Sequence, residues 1–165
     1  MVEFIKKQFR LSQTRFSFGA TSAIITNLGL ITGLRTLSSP RTGIIGGIFI
    51  IAVAANIADS LGIHLDQESE CLKTKEVWFS TVSNFLTRFL VSLTFALIVW
   101  FLPINFAVVT AILWGMVLLS LLSYLIARRE KRNPYLAIFE HIVIAVLVIL
   151  LSNYAGEWFS RRFSS

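Results

Sequence analysis

The sequence predicts an all-α integral membrane protein of five transmembrane helices, with its amino terminus in the cytoplasm and its carboxyl terminus outside. Three observations carry that prediction. Of 165 residues, 55% are hydrophobic and only 15% are charged, which is too apolar for a water-soluble domain. The charges are also segregated: residues 42–58, 89–127 and 142–156 contain no Asp, Glu, Lys, Arg or His. A helix of about 20 apolar residues crosses the hydrocarbon core, so these blocks read as membrane spans. Third, Lys and Arg gather at alternate span ends.

Residues 1–15 carry Val2, Ile5 and Phe9 near helical spacing, with Lys6, Lys7, Arg10 and Arg15 between and after them. This is an amphipathic basic segment: an interfacial helix, a cytoplasmic extension of the first span, or a frayed basic tail. The first span, 16–37, is uncharged as far as Leu34 and contains Thr21, Ser22, Thr26 and Asn27. The second, 42–64, opens on Gly43 and Gly47. The uncharged block 89–127 would be roughly 58 Å long as one helix, nearly twice the ~30 Å core. Pro103 and Asn105 break it into spans 84–102 and 104–126. The fifth span, 136–154, ends in Tyr154, Trp158 and Phe159, an aromatic belt ahead of a basic tail at 160–165.

Lys6, Lys7, Arg10, Arg15, Lys73, Lys75, Arg88, Arg128, Arg129, Lys131 and Arg132 fall on one side of the five spans. Arg35, Arg41, Arg161 and Arg162 fall on the other. The positive-inside rule places the larger group in the cytoplasm. Because the basic residues flank spans, the net charge of +6 signals topology and not a nucleic-acid partner. Gly29 and Gly33 in span one, with Gly43 and Gly47 in span two, are helix-packing pairs that let spans one and two meet each other or a second copy.

The chemistry concentrates between Asn56 and Cys71. Asp59 interrupts an apolar run, and an ionised Asp in a span costs roughly 2.5–3.5 kcal/mol, so its default reading is functional. On one α-helix at about 100° per residue, Asn56, Asp59, Asp66 and Glu70 fall within an arc of about 80°. His64, Glu68 and Cys71 lie on a neighbouring face, about 120° round. Asp59 and Glu70 would then stand about 16 Å apart along the axis, oxygen ligands graded from the membrane to its edge. This pattern suggests a cation route, with Asp59, Asp66, Glu70, His64 and Glu68 as metal ligands. Ser22, Thr26 and Asn27 either hydrogen-bond between helices or line a path, and on the route reading Ser22, Thr26 and Asn56 would supply neutral oxygens along it. The bland alternatives are an Asp59 that snorkels to the interface and a solvated acidic helix end. Cys71 reads as a reduced bystander, a soft metal ligand or an acylation site. His141 and Glu140 sit at the mouth of span five. No H-E-x-x-H, G-x-S-x-G or glycine-rich phosphate loop occurs, so an enzyme is not expected.

Over residues 16–70 the chain resembles the vacuolar iron transporter family, especially its small microbial members. The resemblance lies in F-G-A-T-S-A-I-I-T-N-L-G-L-I-T-G at 18–33 and in I-A-D-S-L-G-I-H-L-D-Q-E-S-E at 57–70. It implies a homodimeric, multi-pass carrier of a microbial cell (inner) membrane, exporting ferrous iron or manganese from the cytoplasm in exchange for protons. The metal ion is cargo, and no resident cofactor is implied. The path would run between spans one and two near the dimer axis. The family's first-span aspartate falls on Ser22, its second-span methionine on Asp59 and the following glutamate on Ile63. The family's large cytoplasmic metal-binding insert is absent, and about 20 residues, 64–83, join spans two and three. These departures open an alternative: an accessory or assembly protein that keeps the fold without the usual metal site.

Overall fold

The computed structural model describes residues 2–37 and 41–163, with side chains from Gly19 onward. The amphipathic and basic side chains of residues 1–15 therefore lie outside the described residues, as do Ser164 and Ser165 of the tail. The described chain is all-helical. Its elements are α1 (Val2–Thr36), α2 (Arg41–Ile50), a π-helical turn (Ile51–Ala55), α3 (Asn56–Ser69), α4 (Thr74–Phe101), α5 (Ile104–Arg129) and α6 (Pro134–Phe163). Among the described residues, four stretches are long and apolar enough to cross a membrane: Arg41–Ser69, Thr74–Phe101, Ile104–Arg129 and Pro134–Phe163. The chain is thus a multi-pass membrane protein.

The helix α1 occupies the centre and packs against α2, α4, α5 and α6. Its buried face is Ala20, Ala23, Ile24, Asn27, Leu28, Ile31 and Thr32. Ile44, Ile45 and Ile48 of α2, Phe95 and Val99 of α4, Ala111 and Leu119 of α5 and Ala145 of α6 close the core around it. Small residues set these approaches. A Cβ at Gly115 of α5 would lie 2.9 Å from Leu28, and one at Gly29 would lie 3.0 Å from Val148 and Ser152 of α6. Outward faces carry Leu, Phe, Trp and Val, the composition expected against lipid.

The helices outrun the apolar blocks that announced them. The third helix starts at Thr74, ten residues before the expected boundary, and the second continues to Ser69. The expected 20-residue link is therefore a short turn at 70–73. The cause is polar pairing: Gln67 on α3 and Ser80 on α4 are buried and bonded to each other, so both helices persist beyond the hydrophobic stretch.

Both turns at this end of the bundle stop helices in the same way. After α3, Cys71 takes a positive φ of 54°; its N–H donates to Glu68 O (3.0 Å), and Leu72 N–H donates to Gln67 O (3.3 Å). That pair of bonds is a Schellman cap, which satisfies carbonyls left open at the helix end. Lys131, at φ 56°, terminates α5 with Arg132 N–H on Ala127 O (2.9 Å). At the opposite end Pro103 caps α5, as its position in the uncharged block predicts.

Candidate functional site

A polar seam runs between α3 and α4. Antiparallel packing matches Asn56 with Arg88, Ser60 with Asn84, His64 with Thr81, and Gln67 with Ser80. On α3 the buried positions are Asn56, Ser60, His64 and Gln67, a stripe at helical spacing. On α4 the matching stripe is Ser80, Asn84, Arg88 and Ser92, each four residues from the last. Asn27 of α1 joins it, donating from Nδ2 to Ser92 Oγ (2.9 Å) and to Ala23 O (2.8 Å).

The centre of the seam is Arg88. Only 1% of it is exposed, and its guanidinium is shared between two α3 side chains. Nε–H donates to Asn56 Oδ1 (2.9 Å), and Nη2 forms an ion pair with Asp59. Asn56 completes its own bonding by donating from Nδ2 to Ala52 O (2.8 Å), the carbonyl inside the π-helical turn. Asp59 differs from its partner in access: 45% of its side chain is exposed. The ion pair has a buried cation and a half-exposed carboxylate.

Among the described residues, four buried polar atoms in and beside this seam have no hydrogen-bond partner: Arg88 Nη1, Asn84 Oδ1, Asn27 Oδ1 and Gln67 Oε1. Over Asn84 and Arg88 lies Gly19 of α1; a Cβ there would stand 3.3 Å from Arg88 Cγ and would collide with Asn84 Oδ1. The absence of a side chain at residue 19 is what lets α1 close on this layer.

Between Ser60 and Gln67 the seam holds His64. The Thr81 hydroxyl donates its proton to Val77 O (2.9 Å), so at 2.9 Å from Thr81 Oγ1 it is His64 Nδ1 that carries the hydrogen. Nε2 faces Glu68 at 3.3 Å, and Trp78 packs edge-on against the ring at 4.7 Å.

These placements revise the helical projection. Asn56 is buried and Asp59 lies at the edge of the buried stripe, whereas Asp66 and Glu70 are exposed. Glu70 is the C-cap of α3, its N–H still on Asp66 O (3.2 Å), whereas Cys71 has left the helix, so the wheel does not extend to Cys71. Glu68 meets His64 but not Asp59. Among the described residues, no three His, Cys, Asp or Glu side chains form a group that could hold a metal ion. Ser22 and Thr26 are half-buried, and the Thr26 hydroxyl bonds to Ser22 O on its own helix (2.8 Å). The glycines are divided: Gly29 and Gly33 pack against Ser152 of α6, and Gly47 packs against Leu30 and Leu34 of α1. Gly43 is exposed.

Arg88 is the residue the sequence reading misplaced. It counts there as a basic loop edge, whereas it sits buried inside α4 and carries no topology signal. The polar stripe Ser80-xxx-Asn84-xxx-Arg88-xxx-Ser92 is the signal that could have found it. Outside the seam, His141 Nδ1 meets Ser123 Oγ at 2.9 Å, Glu140 lies 3.9 Å from Arg132, and Glu157 pairs with Arg161 at 3.4 Å. Comparison with models of protein families, with curated proteins and with solved structures finds no match to this chain.

Proposed function

We propose that this chain is a five-span carrier that exports a divalent cation, ferrous iron or manganese, from the cytoplasm of a microbe in exchange for protons. The observation that carries this reading is the Asp59–Arg88 pair, set inside the apolar layer one turn beyond a π-helical turn. Ionisable residues inside spans are costly and mark ion or proton pathways, and π turns recur at functional sites. Asp59 supplies a hard oxygen ligand, and half of its side chain lies outside the buried seam. The cargo class comes from the resemblance over residues 16–70. The topology comes from Lys73, Lys75, Arg128, Arg129, Lys131 and Arg132, which stand at the end of the bundle where α3 meets α4 and α5 meets α6; that end is cytoplasmic. The remaining span, first in chain order, is the apolar part of α1. The second copy packs through spans one and two.

A second reading, an accessory membrane protein without transport, is favoured by one observation. Asp59 already has a full counter-charge, and Asp66 and Glu70 remain on the surface away from it. Uptake of manganese and ferrous iron into proteoliposomes, with wild type and Asp59→Asn, separates the two. Folded wild type that moves neither ion leaves the accessory reading. Normal transport by Asp59→Asn removes Asp59 from the path while keeping the carrier.

A further inference from the structure

The geometry points to Arg88 as a tethered counter-cation: it holds Asp59 when no cargo is bound, and cargo must displace it. This inference rests on the carrier reading above. The two partners differ in freedom. The Asp59 carboxylate has half its surface outside the buried seam, while Arg88 is enclosed within it. When a divalent cation takes Asp59, the guanidinium must therefore find new acceptors inside the protein.

The seam contains them. Arg88 Nη1 is a buried donor without an acceptor. Asn84 Oδ1 and Asn27 Oδ1 are buried acceptors without donors. Asn84 stands one turn before Arg88 on the same stripe of α4, and Asn27 is bonded to Ser92, one turn after it. Each buried atom left open forfeits a hydrogen bond, so one open donor on Arg88 and two open acceptors along the same seam are expensive. A guanidinium that alternates between Asp59 and these amides accounts for all three. The Nε–H bond to Asn56 provides the pivot.

The exchange is a competition, so the apparent affinity for cargo falls by the fraction of time that Asp59 is free of Arg88. Manganese binding to purified protein in lipid nanodiscs, together with proteoliposome transport, tests this on wild type, Arg88→Gln and Asp59→Asn. Arg88→Gln should bind manganese about tenfold or more tightly than wild type. Its transport should show KM and kcat falling together, because bound metal is no longer expelled. Asp59→Asn should not bind the ion. If wild type binds manganese and Arg88→Gln binds it equally or more weakly, the counter-cation role is wrong and the carrier reading survives. If neither wild type nor Arg88→Gln binds manganese or ferrous iron, both fall. Should Arg88→Gln not assemble, Arg88→Lys keeps the charge without the fork. It should tighten binding about threefold, and unchanged or weaker binding overturns the proposal.

Discussion

Gly156 of α6 and Gly33 of α1 meet backbone to backbone: a Cβ on Gly156 would stand 2.6 Å from the Gly33 carbonyl oxygen and would also collide with Thr36 Oγ1. Thr36 Oγ1 itself donates to that carbonyl (2.7 Å), so the crossing has no slack. Gly156→Val should destabilise the protein by about 1–3 kcal/mol, the cost of overpacking a close-packed contact. Thermal unfolding in detergent measures it, with Gly46→Ala as the control. Gly46 has nothing within 4 Å of its added Cβ, and its replacement should be neutral or slightly stabilising.

Removing either partner of the central ion pair should be costly, and removing both should cost less than the sum. Asp59→Asn leaves the Arg88 charge buried without its counter-ion, a loss of about 3 kcal/mol at the lower end of the range for buried pairs, since Asp59 is half-exposed. A double-mutant cycle with Arg88→Met should give a coupling energy of about 1–3 kcal/mol. Additive losses would mean that the pair contributes nothing as a pair.

The turn after α3 offers a gain. Cys71 holds a left-handed conformation that glycine adopts without strain, and its side chain is exposed. Cys71→Gly should raise stability by about 0.5–1 kcal/mol and abolish maleimide labelling of this single-cysteine chain.

Arg41 explains why a basic residue stands at the end of the bundle that is otherwise poor in them. Its guanidinium donates to the carbonyls of Leu102 (2.7 Å) and Trp100 (3.3 Å), which are open where α4 ends. Arg41→Gln should cost about 1 kcal/mol, and Arg41→Lys should recover only part of it because a single ammonium does not span both acceptors.

The helical architecture was legible in the sequence because charge-free blocks and a central proline report directly on bilayer crossing. Pro103 marked the α4–α5 turn, and Asp59 stood out as an intramembrane carboxylate. The charge partner was not legible. Arg88 adjoins the uncharged block at 89–127, so by sequence it belongs with the interfacial lysines, and only packing against Asn56 and Asp59 shows that it is interior. The glycine pairs were visible as small-residue motifs, but a motif does not name its partner. Gly29 and Gly33 chose α6, a helix more than a hundred residues away in sequence. Of the residues projected onto this helix, Cys71 departs for a local reason: it has left the helix in the left-handed turn.

The π-helical turn at Ile51–Ala55 makes the second span two half-cylinders set out of phase. An added residue rotates everything after it by about 100° relative to an unbroken helix. Ile44, Ile45 and Ile48 face the central core before the turn, and Asn56, Ser60 and His64 face α4 after it. Deleting Val53 would straighten the rod and keep either half in place, but not both. The chain thus spends one residue as a phase shifter, and the alignment of Asn56 and Asp59 with Arg88 depends on it.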